Sequence, residues 1–289
     1  MFNINELYKN DFVDETQLSN KKKNVSRTYK SMTKSHNNVH IKRFEILSKN
    51  NPFNKKIGNY ISIDFRNIKN TNEVDDVLDC VKKEISYLLK RNNYQKKDKV
   101  LVVGLGNDLY ISDALGPKAI KNITATSHLK SKYKNRSVST LIPGVMGSTG
   151  LESSSIVQAI VEREKIDFVI VIDSLATRNI NRLYNVIQLS DTGINPGSGV
   201  ENKRKEISKE ILGVPVICLG VATVVDCASI VVETLTALNI EFDKNTYETV
   251  KNICMINDER LILTLKDIDI KIENLQYVIS KSINQVFSE

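Results

Sequence analysis

A chain of 289 residues, 41% of them hydrophobic, suits one large α/β domain or a domain with appendages, and it can bury a sizeable core. Five prolines and twelve glycines exclude a collagen-like or low-complexity chain. The formal charge of +7 raises the question of a polyanionic partner, but much of the excess sits in Lys21, Lys22, Lys23, Arg27, Lys30, Lys34, Lys42 and Arg43, in a stretch rich in Asn and Ser that reads as a solvated arm; direct nucleic-acid binding is not expected.

In chain order, residues 1–56 show no helix or strand period and read as an arm. The start lacks an apolar core behind a basic end, so no signal peptide is expected. Tyr60–Phe65 alternates as a strand does. Asn70 with Glu73 opens a helix whose apolar residues Val74, Val77, Leu78, Val81, Ile85, Leu88 and Leu89 share one face, closed by Lys90 and Arg91. Leu101–Gly104 is a short, fully apolar run, as in an interior parallel strand, and a helix follows from about Ala114. Ser137–Leu141 is the next strand, and the loop Pro143–Gly150 leads to a helix over about 152–163. Phe168–Ile172 repeats the buried-strand pattern and runs into Asp173.

Tyr184–Leu189 reads as a strand ending at Asp191-Thr-Gly. The loop GINPGSG, residues 193–199, precedes a basic helix expected over Lys203–Leu212. Val214–Leu219 is a buried strand, with a helix expected over Val224–Leu238. The longest apolar stretch, Val214–Val225, is too short to span a bilayer, and no membrane association is expected. Arg260–Leu263 is a short strand. A last helix then runs to about Val286, with Ile268, Ile272, Leu275, Ile279 and Ile283 on its buried face. Such alternation predicts an α/β fold, a sheet with helices on both faces. Cys80, Cys218, Cys227 and Cys254 have no C-x-x-C spacing, which points to a reducing, intracellular compartment.

Familiar sites are missing. Leu109 stands where a dinucleotide fingerprint needs its third glycine, and there is neither a P-loop nor a G-x-S-x-G elbow. His36 and His40 lie in the arm and His128 in a charged connection; no H-E-x-x-H or zinc-type cluster occurs, so no metal or cofactor is expected. Cys218 and Cys227 sit in apolar sequence and read as packing.

The carboxylates remain. Asp113 opens a helix after a strand-end loop, where a helix cap is the structural alternative. Asp173 ends a strand, where bonding to loop amides is the alternative. Ligands of open α/β sheets bind beyond the carboxyl ends of the strands, so both acids converge on one crevice. Such a pair can activate water with one acid while the other donates a proton, or it can hold a divalent metal. Arg178, Asp191 and Asp226 are supporting candidates at similar strand edges, and the GINPGSG loop can cradle an anion or simply make a tight connection.

At these residues the chain resembles the germination proteases of spore-forming bacteria. The carriers are GLGN and DALGP within 104–117, PGVMGSTGLE at 143–152, FVIVIDSLATR at 168–178, DTGINPGSGVENKRKEIS at 191–208, and GVPVICLGVATVVD at 213–226. RLILTLKDID and the final helix resemble the family's C-terminal segment, so the resemblance runs from about residue 37 to the end.

It implies a three-layer α/β/α sandwich around a mostly parallel sheet, like that of the hydrogenase-maturation peptidases. It also implies an atypical aspartic endopeptidase with Asp113 and Asp173 as its essential acids. The implied substrates are small acid-soluble spore proteins, degraded at germination in the spore core, a cytoplasmic compartment. A homotetramer and a self-processing zymogen are implied as well.

On this basis residues 1–36 form a basic arm whose first 13 or so are a pro-segment, and 37–289 form the peptidase domain. KNDFVDETQ, residues 9–17, stands at the family's processing sequence, with cleavage expected near Val13–Asp14. Asn10 and Phe12–Asp14 depart from the family pattern there, as do Thr177 and Ala222 in the core. Two alternatives stay open: a metal-dependent peptidase, and a non-catalytic spore-interior binding protein that uses the basic arm.

Overall fold

The computed structural model describes residues 23–25, 27–66, 71–129, 136–197 and 204–288. The elements in order are β1 (Lys23–Val25), β2 (Tyr29–His36), β3 (Val39–Ile46), β4 (Gly58–Phe65), α1 (Thr71–Arg91), β5 (Lys99–Gly104), α2 (Leu115–Lys121) and β6 (Ser137–Leu141). They continue with α3 (Met146–Thr149), α4 (Ser153–Glu164), β7 (Phe168–Thr177), β8 (Val186–Ser190), α5 (Lys209–Leu212), β9 (Val216–Asp226) and α6 (Cys227–Ala237). The last are α7 (Lys244–Ile253), β10 (Met255–Ile256), β11 (Glu259–Arg260), β12 (Ile262–Leu263) and α8 (Ile268–Ser288).

The apolar strands pair in the order β1-β2-β3-β4-β8-β9-β7-β5-β6, with β12 added on β9. The block β9-β7-β5-β6 is parallel. The strands on its far side run antiparallel, so the sheet is mixed. Side chains alternate along each strand and give the sheet two apolar faces. Val100, Val102, Ile170 and Ile172 pack with α1, α2 and α8 on one face. Leu101, Val103, Val169 and Val171 meet Val157 and Val161 of α4 on the other. These are the expected three α/β/α layers. α2 carries the chain from β5 to β6 on one face, and α4 returns it to β7 on the other. The winding therefore reverses at β5, and a crevice opens beyond the ends of β5 and β7.

The last helix shows the expected stripe. Ile272, Leu275, Val278, Ile279 and Ile283 are buried, each contributing about 1.5–3 kcal/mol. Ser282 Oγ also donates to the Leu78 carbonyl of α1.

Several elements differ from the sequence reading. Within 1–56, where no period was expected, β2 and β3 form a long antiparallel hairpin with register Tyr29↔Ile46 to His36↔Val39. The hydrophobic pattern hides it because β3 buries a cation. Arg43 lies over the Tyr87 ring and donates two 2.6 Å bonds to the buried carboxylate of Glu84. Lys30 and Lys42 face Glu45 and Asp64, so these two lysines of the basic stretch have counter-charges within the fold. The boundary drawn between residues 36 and 37 falls at the turn of this hairpin.

The expected helix Lys203–Leu212 is four residues of α5, because buried Ile207 bridges Ile194 in extended form. β7 and β9 run on to Thr177 and Asp226, past their expected ends, and α6 begins at Cys227 rather than Val224. α7 was not anticipated. The proposed pro-segment, with Val13 and Asp14, lies outside the described residues, as do Asn70, residues 198 and 199 of the glycine-rich loop, and residues 200–203 after it.

Candidate active site

The first acid is placed by glycines. β5 must end where α2 begins, and α2 lies directly on the strand backbone. A β-carbon on Gly104 would come within 2.4 Å of the Gly116 carbonyl, and one on Gly116 within 2.3 Å of the Leu105 carbonyl. Gly106, at φ +111°, would meet the Asp113 carbonyl at 2.0 Å. Only glycine fits these contacts, and they fold the loop Asn107–Asp113 back on itself. The Asn107 amide donates to the Asp113 carboxylate at 2.8 Å. Asp113 closes a 3-10 turn, and Ala114, with no side-chain bond, takes the cap of α2. The carboxylate is therefore not the helix cap that its position suggested.

The second acid lies inside β7. Asp173 is 6% exposed, and its Oδ1 accepts from the Ser174 amide at 2.9 Å. Asp113 and Asp173 line one cleft of about 740 Å³ beyond the strand ends, together with Asn107, Ser174, Asn195, Arg204 and Thr264. Burial pushes Asp113 from 3.8 up to about 6, against the opposing pull of the Asn107 amide and the Arg204 charge. A carboxyl that titrates near neutrality can accept or give a proton at physiological pH. Burial, reinforced by Asp173, drives the Cys218 thiol up, as befits a packing residue.

The supporting candidates sit elsewhere, none among the described residues that line the cleft. Asp191 accepts from the Asn59 amide and side chain, each at 2.7 Å, and from Asn92 at 3.1 Å, tying β8 to the start of β4. Asp226 precedes α6 and pairs with Ile262 of β12. Arg178 follows the end of β7 and is half-buried.

Sequence reasoning overlooked Arg204, which among the described residues is the cation of the cleft lining. It is one letter in a run of three basic residues, and only its place in the fold sets it apart. Thr223 and Thr264 were missed too. Thr264 Oγ1 donates to the Thr223 carbonyl at 2.8 Å, and the Tyr184 hydroxyl donates to the same carbonyl at 2.6 Å, which fixes β12 as one wall of the cleft.

Among the described residues no three His, Cys, Asp or Glu side chains are grouped to hold a metal ion, and the described cleft lining contains no histidine. What that lining would offer a divalent ion is the two carboxylates of Asp113 and Asp173.

A family model described as germination protease matches residues 5–257. Its span begins well before residue 37 and stops ahead of β11, so β12 and α8 lie beyond it. Germination proteases of a Geobacillus strain and of Oceanobacillus iheyensis are each 48% identical, over 202 and 189 residues, covering 67% and 63% of this chain and 54% and 52% of their own. That of Bacillus cereus is 45% identical over 202 residues, 67% of this chain and 55% of its own. The chain thus spans about half the length of the curated relatives it matches. A [NiFe] hydrogenase maturation protease from Thermococcus kodakarensis aligns with 67% of the chain and 94% of its own length, at 15% identity and a TM-score of 0.36, too low to bear on the fold.

Proposed function

This chain belongs to the germination protease family, and we infer that it is an endopeptidase acting on small acid-soluble spore proteins at germination. One observation carries the reading: in a chain of this family, Asp113 and Asp173, delivered by separate elements, line a single cleft at the winding reversal of the sheet. One carboxylate, ionised, takes a proton from water as it attacks the peptide carbonyl. The other, protonated, donates to the leaving amine. The raised value of Asp113 suits it to hold a proton near pH 6. Arg204 supplies positive charge to steady the oxyanion of the tetrahedral intermediate.

The same reading makes the protein a zymogen cleaved near Val13–Asp14, working in the spore core as a homotetramer. Exposed Leu238, Ile253 and Ile256 on the C-terminal elements supply apolar surface for self-association, which sedimentation velocity checks. No helix among the described residues is long and apolar enough to cross a membrane.

The test is mass spectrometry of a small acid-soluble spore protein incubated with this chain, with and without a chelator. Discrete internal fragments in both samples support the reading. An intact substrate, also with a chain that starts at Asp14, refutes it. Fragments lost on chelation and restored by one divalent ion would show that a metal takes part.

A further inference from the structure

The geometry points to strand addition as the way substrate is held: an extended peptide segment pairs with the open edge of β7 in the cleft. This rests on the peptidase reading and specifies how that site takes its substrate. β7, with 10 residues, is longer than β5, with 6. One of its edges pairs with β9 as far as Thr177↔Val225. The other pairs with β5 only as far as Ile172, where the Leu105 amide donates to the Ile172 carbonyl at 2.8 Å. From Ser174 to Ala176 that edge has no strand partner among the described residues, and all three residues line the cleft.

The direction of the backbone groups follows from the pleat. The Ile172 carbonyl points toward β5, so the backbone groups of Ser174 and Ala176, at steps of two, point to the same side. The register shift beside Leu175 places its extra residue, Thr223, on β9, so the alternation of β7 continues through it. The Ser174 amide already serves the Asp173 carboxylate. The Ser174 carbonyl, the Ala176 amide and the Ala176 carbonyl are left for a partner backbone. Unpaired edge groups of this kind are a template for an added strand.

The surroundings favour a peptide as the occupant. Leu109 and Tyr110, 85% and 67% exposed, stand along the same cleft and can cover alternate side chains of an extended segment. Asp173 immediately precedes the open stretch, so a strand lying on Ser174–Ala176 brings its next peptide bond to the acids. Backbone pairing fixes the direction and register of the substrate without demanding one sequence.

Overlapping fluorescein-labelled 12-residue peptides covering a small acid-soluble spore protein are titrated against the full chain. The tightest binder is then remade with one backbone N-methyl group at each position in turn, and both binding and cleavage are read. Strand addition predicts a period of two: methylation at alternate positions weakens binding about ten-fold or more, through a lost hydrogen bond and a clash, and the positions between change it less than about two-fold.

Ala176→Pro removes an amide that faces the open edge, so it lowers affinity with little change in melting temperature. Leu175→Pro removes an amide that faces β9 and destabilises the fold. Uniform sensitivity, no sensitivity, or no binding by any peptide overturns strand addition. Cleavage without alternation leaves the peptidase reading standing and refutes strand addition; alternation in binding without cleavage does the reverse.

Discussion

Asp113→Asn should stabilise this protein while inactivating it, with a gain that depends on pH. The carboxyl titrates near 6 in the folded chain against an ordinary value of 3.8, because burial opposes its charge. Below about pH 4 the group is neutral in folded and unfolded chains alike and costs nothing. Between pH 4 and 6 the unfolded chain ionises while the folded chain still holds the proton, so stability falls; above pH 6 the cost is complete.

The gap between 3.8 and about 6 corresponds to about 3 kcal/mol. The carboxylate is half-buried and partly screened by water, which brings the expectation to about 1–2 kcal/mol. Asparagine retains an oxygen for the Asn107 amide, which holds the loop at 2.8 Å, so little else changes. Thermal unfolding followed by circular dichroism should show Asp113→Asn melting about 2–5 °C higher than wild type at pH 8, with most of the gain gone at pH 4. An equal shift at both pH values, or a loss at pH 8, would refute the claim that a strained charge is kept here for function.

The same proton should appear in catalysis, as an inflection near pH 6 in kcat/KM for a peptide substrate; a flat profile from pH 5 to 7 would remove Asp113 from proton transfer. Gly116→Ala drives a methyl group into the Leu105 carbonyl at 2.3 Å and should cost about 3 kcal/mol or more in urea unfolding. Gly150→Ala, at φ +70° in open space, should cost only about 1 kcal/mol, and equal losses would mean that backbone contact is not what fixes α2. Arg43→Met leaves the Glu84 carboxylate buried and unpaired and should cost about 3–5 kcal/mol. Adding Glu84→Gln should recover a good part of that loss, and strict additivity would argue against the pair. Tyr184→Phe removes the 2.6 Å bond to the Thr223 carbonyl and should cost about 1–2 kcal/mol, with a raised KM because β12 loosens; an unchanged KM would separate that wall from substrate binding.

The elements most legible from sequence are those whose residues face only the core. β5 and the Ile-rich face of α8 are uniform in chemistry, and their periodicity is intact. The failures occur where a strand leaves the core. β7 was foreseen as far as Ile172, because Asp173, Ser174 and Thr177 break the apolar run, yet these polar residues continue the strand where it faces the cleft. β9 was cut short in the same way at Gly220, whose missing side chain leaves room for Leu175. β3 was lost because Arg43 replaces an apolar residue on its buried face, and no periodicity rule anticipates its partner Glu84 from a distant helix.

For the site, the two acids could be picked out because strand ends in this fold class converge. The cap alternative for Asp113 could be settled only by the loop that turns its carboxylate toward the Asn107 amide. Arg204 and Thr264 join the cleft through tertiary contacts that leave no local pattern in the chain.

On the proposed function, Asp113 and Asp173 together cleave peptide bonds. The most direct measurement compares the fragmentation of a small acid-soluble spore protein by wild type, Asp113→Asn and Asp173→Asn, read by mass spectrometry, with each variant shown to be folded by its melting curve. Wild type should yield discrete fragments, and each variant should lose about two or more orders of magnitude in rate. Full cleavage by both folded variants would contradict it, and the chemistry would then have to be sought at other residues of the cleft.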